Sequence, residues 1–430
     1  MAKRRKLKKG VKIILILIIV IVFTIIYLYK NKDSENKNVI LNNNSIDYPI
    51  VDNSESDDDI VNKMFTKGMS LDSFKELLKQ DLNKIESTDE YEIIKFDFNK
   101  SLGYSDIENY LYKLNFSDIV NLYNIGKSVD NRNIYGLEIG TGSKEIFIDA
   151  NIHAAETANT SILIQFMSEV VNMYENNNKN VKKALNEYKL VVMPCINPDG
   201  YEIFTKGIES ISNKELWVYQ NKNKINFDNL KSNANGVDIN RNFPTQNAGL
   251  YYNTKDLLYN VSLEKNTGSK AYFGGYALGS EPETKAAMLF MLKHYKNTIY
   301  YINLHSQGRV IYSGKPNLSD EFNSVSREFA STISKINNYT VYGIESEEVG
   351  EGNDGSATDF MSEIAHEMPF SSKTGRLSSN TYINPDVEFV SKYPVITLET
   401  IKTYTTNPEI FKDEYYNYGL RKTLFSLIGL

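Results

Sequence analysis

From about residue 100 onward, short apolar runs alternate with longer segments at helical spacing, and this alternation restricts the possible folds more than any other feature. The runs "NIYGLEIG", "EIFIDANI", "YKLVVMPCIN", "TIYYINLHS" and "YPVITLETI" read as strands. Between and around them, "GYSDIENYLYKLN", "TSILIQFMSEVVNMYENN", "EPETKAAMLFMLKHYKN" and "SDEFNSVSREFASTISKIN" read as helices, with "GTGS" and "NPDG" as turns. Strands alternating with helices predict an α/β domain: a mixed, largely parallel twisted sheet covered by helices on both faces. In such sheets ligand sites collect at the carboxyl ends of the strands. His153, Asn197, His305 and Glu399 all fall at such ends.

The chain ahead of this domain has a different character. Residues 1–12, "MAKRRKLKKGVK", are basic, and residues 13–29, "IILILIIVIVFTIIYLY", carry no charge. Seventeen helical residues span roughly 26 Å, the short end of a bilayer crossing. The basic cluster belongs on the cytoplasmic side. No small-x-small pattern follows the apolar run, so an uncleaved single-pass anchor is expected, with the remainder outside the cell; secretion after cleavage is the alternative. Residues 30–69 are rich in Asn, Asp and Ser and read as a disordered polar tether. Residues 70–99 form a short accessory segment in which "SLDSFKELLKQDLNKI" reads as a helix capped by Ser70. Residues 100–430 are the main domain.

Charge narrows the partners. The first thirty residues hold eight Lys or Arg and no acid, which leaves 40 basic against 54 acidic residues beyond them, a net charge of −14. That argues against a nucleic-acid surface. Cys195 is the one cysteine, so no intrachain disulfide forms, and its apolar run makes it a buried thiol.

The chemistry begins with His153 and Glu156, three residues apart behind the strand "EIFIDANI". Alone, His-x-x-Glu is weak, and a strand-end histidine satisfied by backbone is the ordinary reading. His305, ending "YYINLH" in the same way, supplies a third ligand. Two imidazoles and a carboxylate with an open fourth position make a catalytic zinc arrangement. One zinc there would lower the pKa of bound water to about 7 and polarise a carbonyl. His294, on a helix, and His366 lack this setting and read as structural.

The order of motifs carries a resemblance. His153-x-x-Glu156, "NPDGY", "NGVDINRNFP", "SEPET", "INLHSQG" and "ITLET" run in the order of the zinc metallocarboxypeptidases of the carboxypeptidase A type, over about residues 100 to 420. "IGKSVDNRNIYGLEIGTG" and "LHSQGRVIYSG" look nearest to the bacterial branch of γ-D-glutamyl-meso-diaminopimelate peptidases. The resemblance implies a metallocarboxypeptidase-like fold, with His153, Glu156 and His305 as zinc ligands and Glu399 as general base. The residues alone are compatible: "VITLETI" puts Val395, Thr397 and Glu399 on one face, and a carboxylate beside zinc can move a proton from water to a leaving amine. It also implies that Asn240 and Arg241 bind the carboxylate of the residue beyond the scissile bond, which a planar guanidinium fits bidentately.

Three departures stand against that pattern. Lys231 occupies the place of an oxyanion-stabilising arginine, keeping the charge but losing the fork. "IESEEVGEGN" lacks the tyrosine expected to close over substrate, leaving Tyr382 as its substitute. Thirty-eight residues separate Phe360 from Glu399, a long insert in which Arg376 is a conceivable substrate contact. The resulting expectation is a membrane-anchored extracellular zinc peptidase cutting the γ-D-glutamyl-diaminopimelate bond of peptidoglycan stem peptides. Trimming of ordinary C-terminal residues is the alternative within the class. A catalytically inactive wall- or zinc-binding module is the alternative outside it.

Overall fold

The computed structural model describes residues 69–212, 214, 227, 229–245, 273–275, 277–315, 318, 320–344, 355–365, 370–371, 376–377 and 393–430. The basic segment, the apolar run 13–29 and nearly all of the tether lie outside them, as do His366 and Tyr382. Among the described residues no helix is long and apolar enough to cross a membrane.

The chain enters through helix α1 (Leu71–Lys79), capped as expected when the Ser70 hydroxyl accepts from the Ser73 N–H at 3.0 Å. This helix ends sooner than its periodicity suggests. Gln80 turns extended, and "NKI" becomes strand β1 (Asn83–Ile85), which pairs antiparallel with β2 (Val120–Lys127). Residues 91–98 are then strapped to the domain. Asn172 accepts from the Tyr91 hydroxyl and the Ile94 N–H and donates back to the Ile94 carbonyl. The segment 70–99 is therefore woven into the main sheet.

After helix α2 (Tyr104–Leu114) and β2 come β3 (Asn133–Ile139), β4 (Lys144–Ala150), α3 (Thr157–Glu175), α4 (Lys179–Glu187) and β5 (Tyr188–Met193). The predicted turn "NPDG" instead starts helix α5 (Pro198–Lys206). Asn197 caps it by accepting from the Gly200 N–H at 2.8 Å, and Pro198 fills the first position, where its missing N–H costs nothing. Helix α6 (Pro282–His294), β6 (Thr298–Ser306), β7 (Val310–Tyr312), α7 (Asp320–Asn337), β8 (Thr340–Tyr342) and α8 (Ala357–Ala365) follow. Two short strands, β9 (Phe370–Ser371) and β10 (Arg376–Leu377), pair with each other inside the long insert. Strand β11 (Val395–Thr400) and helices α9 (Pro408–Asn417) and α10 (Leu420–Leu427) complete the chain.

Among the described residues the main sheet has nine strands in the order β1-β2-β3-β5-β4-β6-β11-β7-β8. Parallel pairing holds its centre, β5-β4-β6-β11, and recurs for β7-β8; the β1-β2-β3-β5 side and the β11-β7 pair are antiparallel. The sheet is thus evenly mixed rather than largely parallel, because β2 returns directly as β3 without a crossover helix. Alternation along the central strands feeds two cores. Ile146, Ile148, Leu190, Val192, Ile302 and Leu398 join one, with α2, α3, α9 and α10; Phe147, Val191, Met193, Tyr301 and Val395 join the other, with α1, α6 and α8. Covering both faces explains why these strands read as nearly continuous apolar runs.

Candidate metal centre

The site grows from the carboxyl ends of the central parallel strands. Strand β4 stops at Ala150, and Asn151 turns the chain at φ 53°, an excursion asparagine tolerates. The turn is stitched down by Asn197, which donates to the carbonyls of Ile152 and Ser232 at 3.2 Å each. A side chain at Gly200 would lie 2.5 Å from the Asn197 amide and 2.6 Å from Ala154, so that glycine permits the close approach. His153 follows, and Glu156 stands immediately before helix α3, where the helix dipole favours an anion.

His305, near the end of β6, completes the group. His153 Nδ1 and Glu156 Oε1 are 2.8 Å apart, His305 Nδ1 and Glu156 Oε2 3.0 Å, and the two Nδ1 atoms 3.2 Å. All three side chains are buried. Two imidazole nitrogens aimed at each other and at one carboxylate form a donor set suited to a cation. A tetrahedral zinc with ligand bonds of about 2.1 Å would space its donors by roughly 3.4 Å, so these residues fit the ion. Among the described residues they are the one group of three His, Cys, Asp or Glu able to hold a metal.

The electrostatics follow from that convergence. Burial would push the Glu156 carboxyl up, but the two imidazoles outweigh it and bring it down to about 2. Burial would lower His153, and Lys231 works in the same direction; Glu156 and Asp238 prevail and raise it. Asp238 had no place in the sequence reading. Its Oδ1 stands 3.4 Å from His153 Nε2, on the far side of the ring from Glu156, and also accepts from the Asn240 N–H at 3.1 Å. Burial opposes its charge, yet His153, Arg241 and Lys231 hold its carboxyl far below the usual range. Carboxylates in this position fix the tautomer and orientation of a metal-binding imidazole. The available signal was the acid inside "GVDINRN", two residues before Asn240.

Glu399 lies beside this group. Strands β11 and β6 run parallel with Glu399 opposite His305, so both side chains point to one sheet face. Glu399 is partly accessible while its strand neighbours are buried. The next residue, Thr400, donates to Asn159 Oδ1 at 2.7 Å, fastening β11 to helix α3.

Asn240 and Arg241 occupy a short 3-10 turn, Ile239–Arg241, capped by Asp238, and both are buried. The Asn240 carbonyl accepts from the Arg241 guanidinium at 2.8 Å, and the Asn240 side chain accepts from the Ala357 N–H at 2.9 Å. Lys231 is half-buried; its carbonyl receives the Ala154 N–H at 3.3 Å, and its charge acts on both His153 and Asp238. His153, Glu156, His305, Glu399, Lys231 and the turn carrying Asn240 and Arg241 are thus brought to one end of the sheet, whereas Tyr382 falls outside the described residues. Cys195 is buried, and burial pushes its thiol up, as its apolar run implied.

A buried two-histidine, one-carboxylate cluster beside a glutamate, at the carboxyl end of an α/β sheet, defines a mononuclear metallohydrolase centre. The family model described as zinc carboxypeptidase matches residues 107–393. The chain belongs to this family of metallopeptidases. It is 29% identical over 258 residues to the carboxypeptidase N catalytic chain of Rattus norvegicus, covering 55% of this chain and 51% of that one. It is 31% identical over 258 residues to gamma-D-glutamyl-L-diamino acid endopeptidase 1 of Lysinibacillus sphaericus, covering 55% and 61%. The chain thus spans about half the length of the rat relative. Its fold matches the carboxypeptidase A structure from Helicoverpa armigera with a TM-score of 0.54 at 17% identity, over 79% of this chain and 76% of that one.

Proposed function

We propose that this chain is a zinc peptidase that hydrolyses the γ-D-glutamyl-diaminopimelate bond of peptidoglycan stem peptides, held outside the cell by residues 13–29. The observation that carries the reading is the convergence of His153, Glu156 and His305 with Glu399 in register beside them. The bacterial relative named for γ-D-glutamyl-L-diamino acid cleavage favours this substrate over an ordinary peptide.

In this reading His153, Glu156 and His305 would hold the zinc, and the ion when bound would supply Lewis acidity toward the scissile carbonyl and a lowered pKa for water, so that a hydroxide nucleophile is within reach near neutral pH. Glu399 takes the proton of the attacking water and passes it to the leaving amine. Lys231 offsets negative charge developing on the carbonyl oxygen, with a point charge in place of a fork. Asn240 and Arg241 hold the carboxylate of the residue beyond the scissile bond and so fix which bond meets the nucleophile. Asp238 keeps the His153 ring turned toward Glu156.

The test is product analysis by mass spectrometry after zinc-loaded protein meets L-Ala-γ-D-Glu-meso-diaminopimelate. Release of diaminopimelate is expected, with turnover down about 10²–10⁴-fold in Glu399→Gln. Failure to cut any stem peptide would overturn the reading. A second reading, trimming of ordinary C-terminal residues, is favoured by the likeness to carboxypeptidase N. It predicts cleavage of common peptides with a free C-terminal carboxylate and none of their amides. The anchor is tested separately: the protein stays in the membrane fraction through a carbonate wash if residues 13–29 span the bilayer, and leaves it if they do not.

A further inference from the structure

A cavity of about 420 Å³ opens at the same end of the sheet as the metal centre, beyond the turns that leave β6 and β11. Gly308 stands on it three residues past His305, and Lys402 three residues past Glu399. The Gly308 N–H ties the two turns together, donating to the carbonyls of Thr400 at 3.1 Å and Ile401 at 2.8 Å.

The lining of this cavity is one-sided in charge. Arg309, Lys402 and Lys422 contribute to it, and among the described residues no Asp or Glu does. Arg309 is already answered: its guanidinium donates to the buried Glu414 carboxylate at 2.9 and 2.7 Å and lies over the Tyr418 ring, while the Tyr339 hydroxyl donates to the other Glu414 oxygen. Lys402 and Lys422 are exposed, and neither has an acidic partner among the described residues. Helix ends do not cancel them. Helices α7 and α9 end at the cavity and α10 begins at it. Terminal partial charges of roughly half a unit each then sum to about −0.5, against two full positive charges.

One donor in the wall is also left over. Asn337 is 5% exposed, and its Oδ1 accepts from the Tyr339 N–H at 3.0 Å, which fixes the orientation of the amide. Its Nδ2 has no hydrogen-bond partner. A buried amide in that state is uncommon and calls for an acceptor. Gly419 packs directly against it: at φ 81° it enters α10 without a capping side chain, and a Cβ there would lie 2.9 Å from the Asn337 Cα.

We propose that this cavity is a second ligand site, separate from the metal centre, for a doubly charged oxyanion of the phosphate-ester class. Lys402 and Lys422 supply the opposing charge, and Asn337 Nδ2 supplies a hydrogen bond that no group of the chain accepts. Two ammonium groups match a phosphate better than a single carboxylate. The volume has room for on the order of ten waters, so the phosphate enters on a larger molecule. The inference does not depend on the peptidase reading.

The test is calorimetric titration of full-length, zinc-loaded protein in an uncharged detergent with inorganic phosphate and with acetate. Phosphate is expected to bind saturably and at least about 5-fold tighter than acetate. Lys402→Gln combined with Lys422→Gln changes exposed positions only, and should weaken phosphate about 10–100-fold. Asn337→Asp keeps the acceptor for the Tyr339 N–H but turns the free donor into an anion, and should abolish binding. Phosphate also has affinity for zinc, so His305→Ala, which removes a zinc ligand, is the discriminating arm: a site in the cavity survives that change. Binding unchanged in the double lysine variant would overturn the assignment. Binding lost altogether in His305→Ala would move the phosphate to the metal and overturn it too. Acetate held as tightly as phosphate would sink the dianion class, and a wild type without saturable phosphate binding would end the proposal.

Discussion

Two buried histidine–carboxylate clusters sit at opposite ends of the same sheet. At the carboxyl ends of β4 and β6, His153 and His305 face one carboxylate, Glu156, with contacts of 2.8 and 3.0 Å. At the amino ends of β4 and β5, His294 stands between two carboxylates, 2.9 Å from Glu145 and 3.6 Å from Glu138, and Lys189 lies 3.1 Å from Glu145. The histidines of both clusters are buried, and both pair imidazole with a buried carboxylate. They differ in where the lone pairs go. In the first, two nitrogens and a carboxylate converge on one point, which a cation resolves. In the second, the two ring nitrogens face different carboxylates and Lys189 pairs with Glu145, so no three donors converge on one point. A histidine beside an acid is therefore not a site; convergence of donors makes one.

The sharpest way to break this contrast is to remove one imidazole from each cluster. His305→Ala is expected to lose its zinc and at least about 10³-fold of turnover, since an incomplete ligand set neither retains the ion nor places it. His294→Ala is expected to keep both, while losing about 2–4 kcal/mol of stability because Glu145 stays buried with less compensation. Metal analysis, turnover and denaturant melts on the same preparations read all three quantities. Zinc loss in His294→Ala would mean that the two ends are coupled and the contrast false.

Asp238 sharpens the comparison at a smaller scale. Asp238→Asn preserves the side chain's shape and its acceptor for the Asn240 N–H, but removes the charge opposite His153 Nε2. Zinc affinity should fall about 10–100-fold, read by competition with a chelator. Unchanged affinity would reduce Asp238 to a cap for the 239–241 turn.

These residues also mark how far sequence carries. The ligand trio was legible because each member ends an apolar run or follows one closely, and strand ends meet in a parallel sheet. Asp238 was not, since nothing in "GVDINRN" tells which neighbour the acid will face. The helix predicted across "SLDSFKELLKQDLNKI" broke at Gln80 where an open sheet edge offered "NKI" a partner, a tertiary gain that helical periodicity does not register. "NPDG" was misjudged for a local reason: an Asn cap with Pro behind it opens a helix as readily as it makes a turn. The insert before Tyr393 carries neither periodicity nor motif, and sequence says nothing firm about it.

Strand β4 links the two clusters and holds a third acid between them, which gives the mildest test. Asp149 is fully buried and meets only neutral donors, the Tyr301 hydroxyl and the Asn303 amide. Burial outweighs those donors and raises its pKa to about 7, whereas Glu145, also opposed by burial, is pulled below its ordinary value by His294 and Lys189. The pH dependences have opposite signs. Glu145 contributes stability above its unfolded pKa that is lost as pH falls through its depressed folded value. Asp149 binds its proton more tightly when folded, so its contribution is complete below about pH 4 and is lost as pH rises through about 7. Between pH 5.5 and 6.5 that loss comes to about 1 kcal/mol, a little under one proton's worth of slope. Denaturant melts across this window should show the slope in wild type and a flatter line in Asp149→Asn. Equal slopes would mean that Asp149 is charged in the folded protein, and that the middle of β4 resembles its amino end rather than standing apart from both clusters.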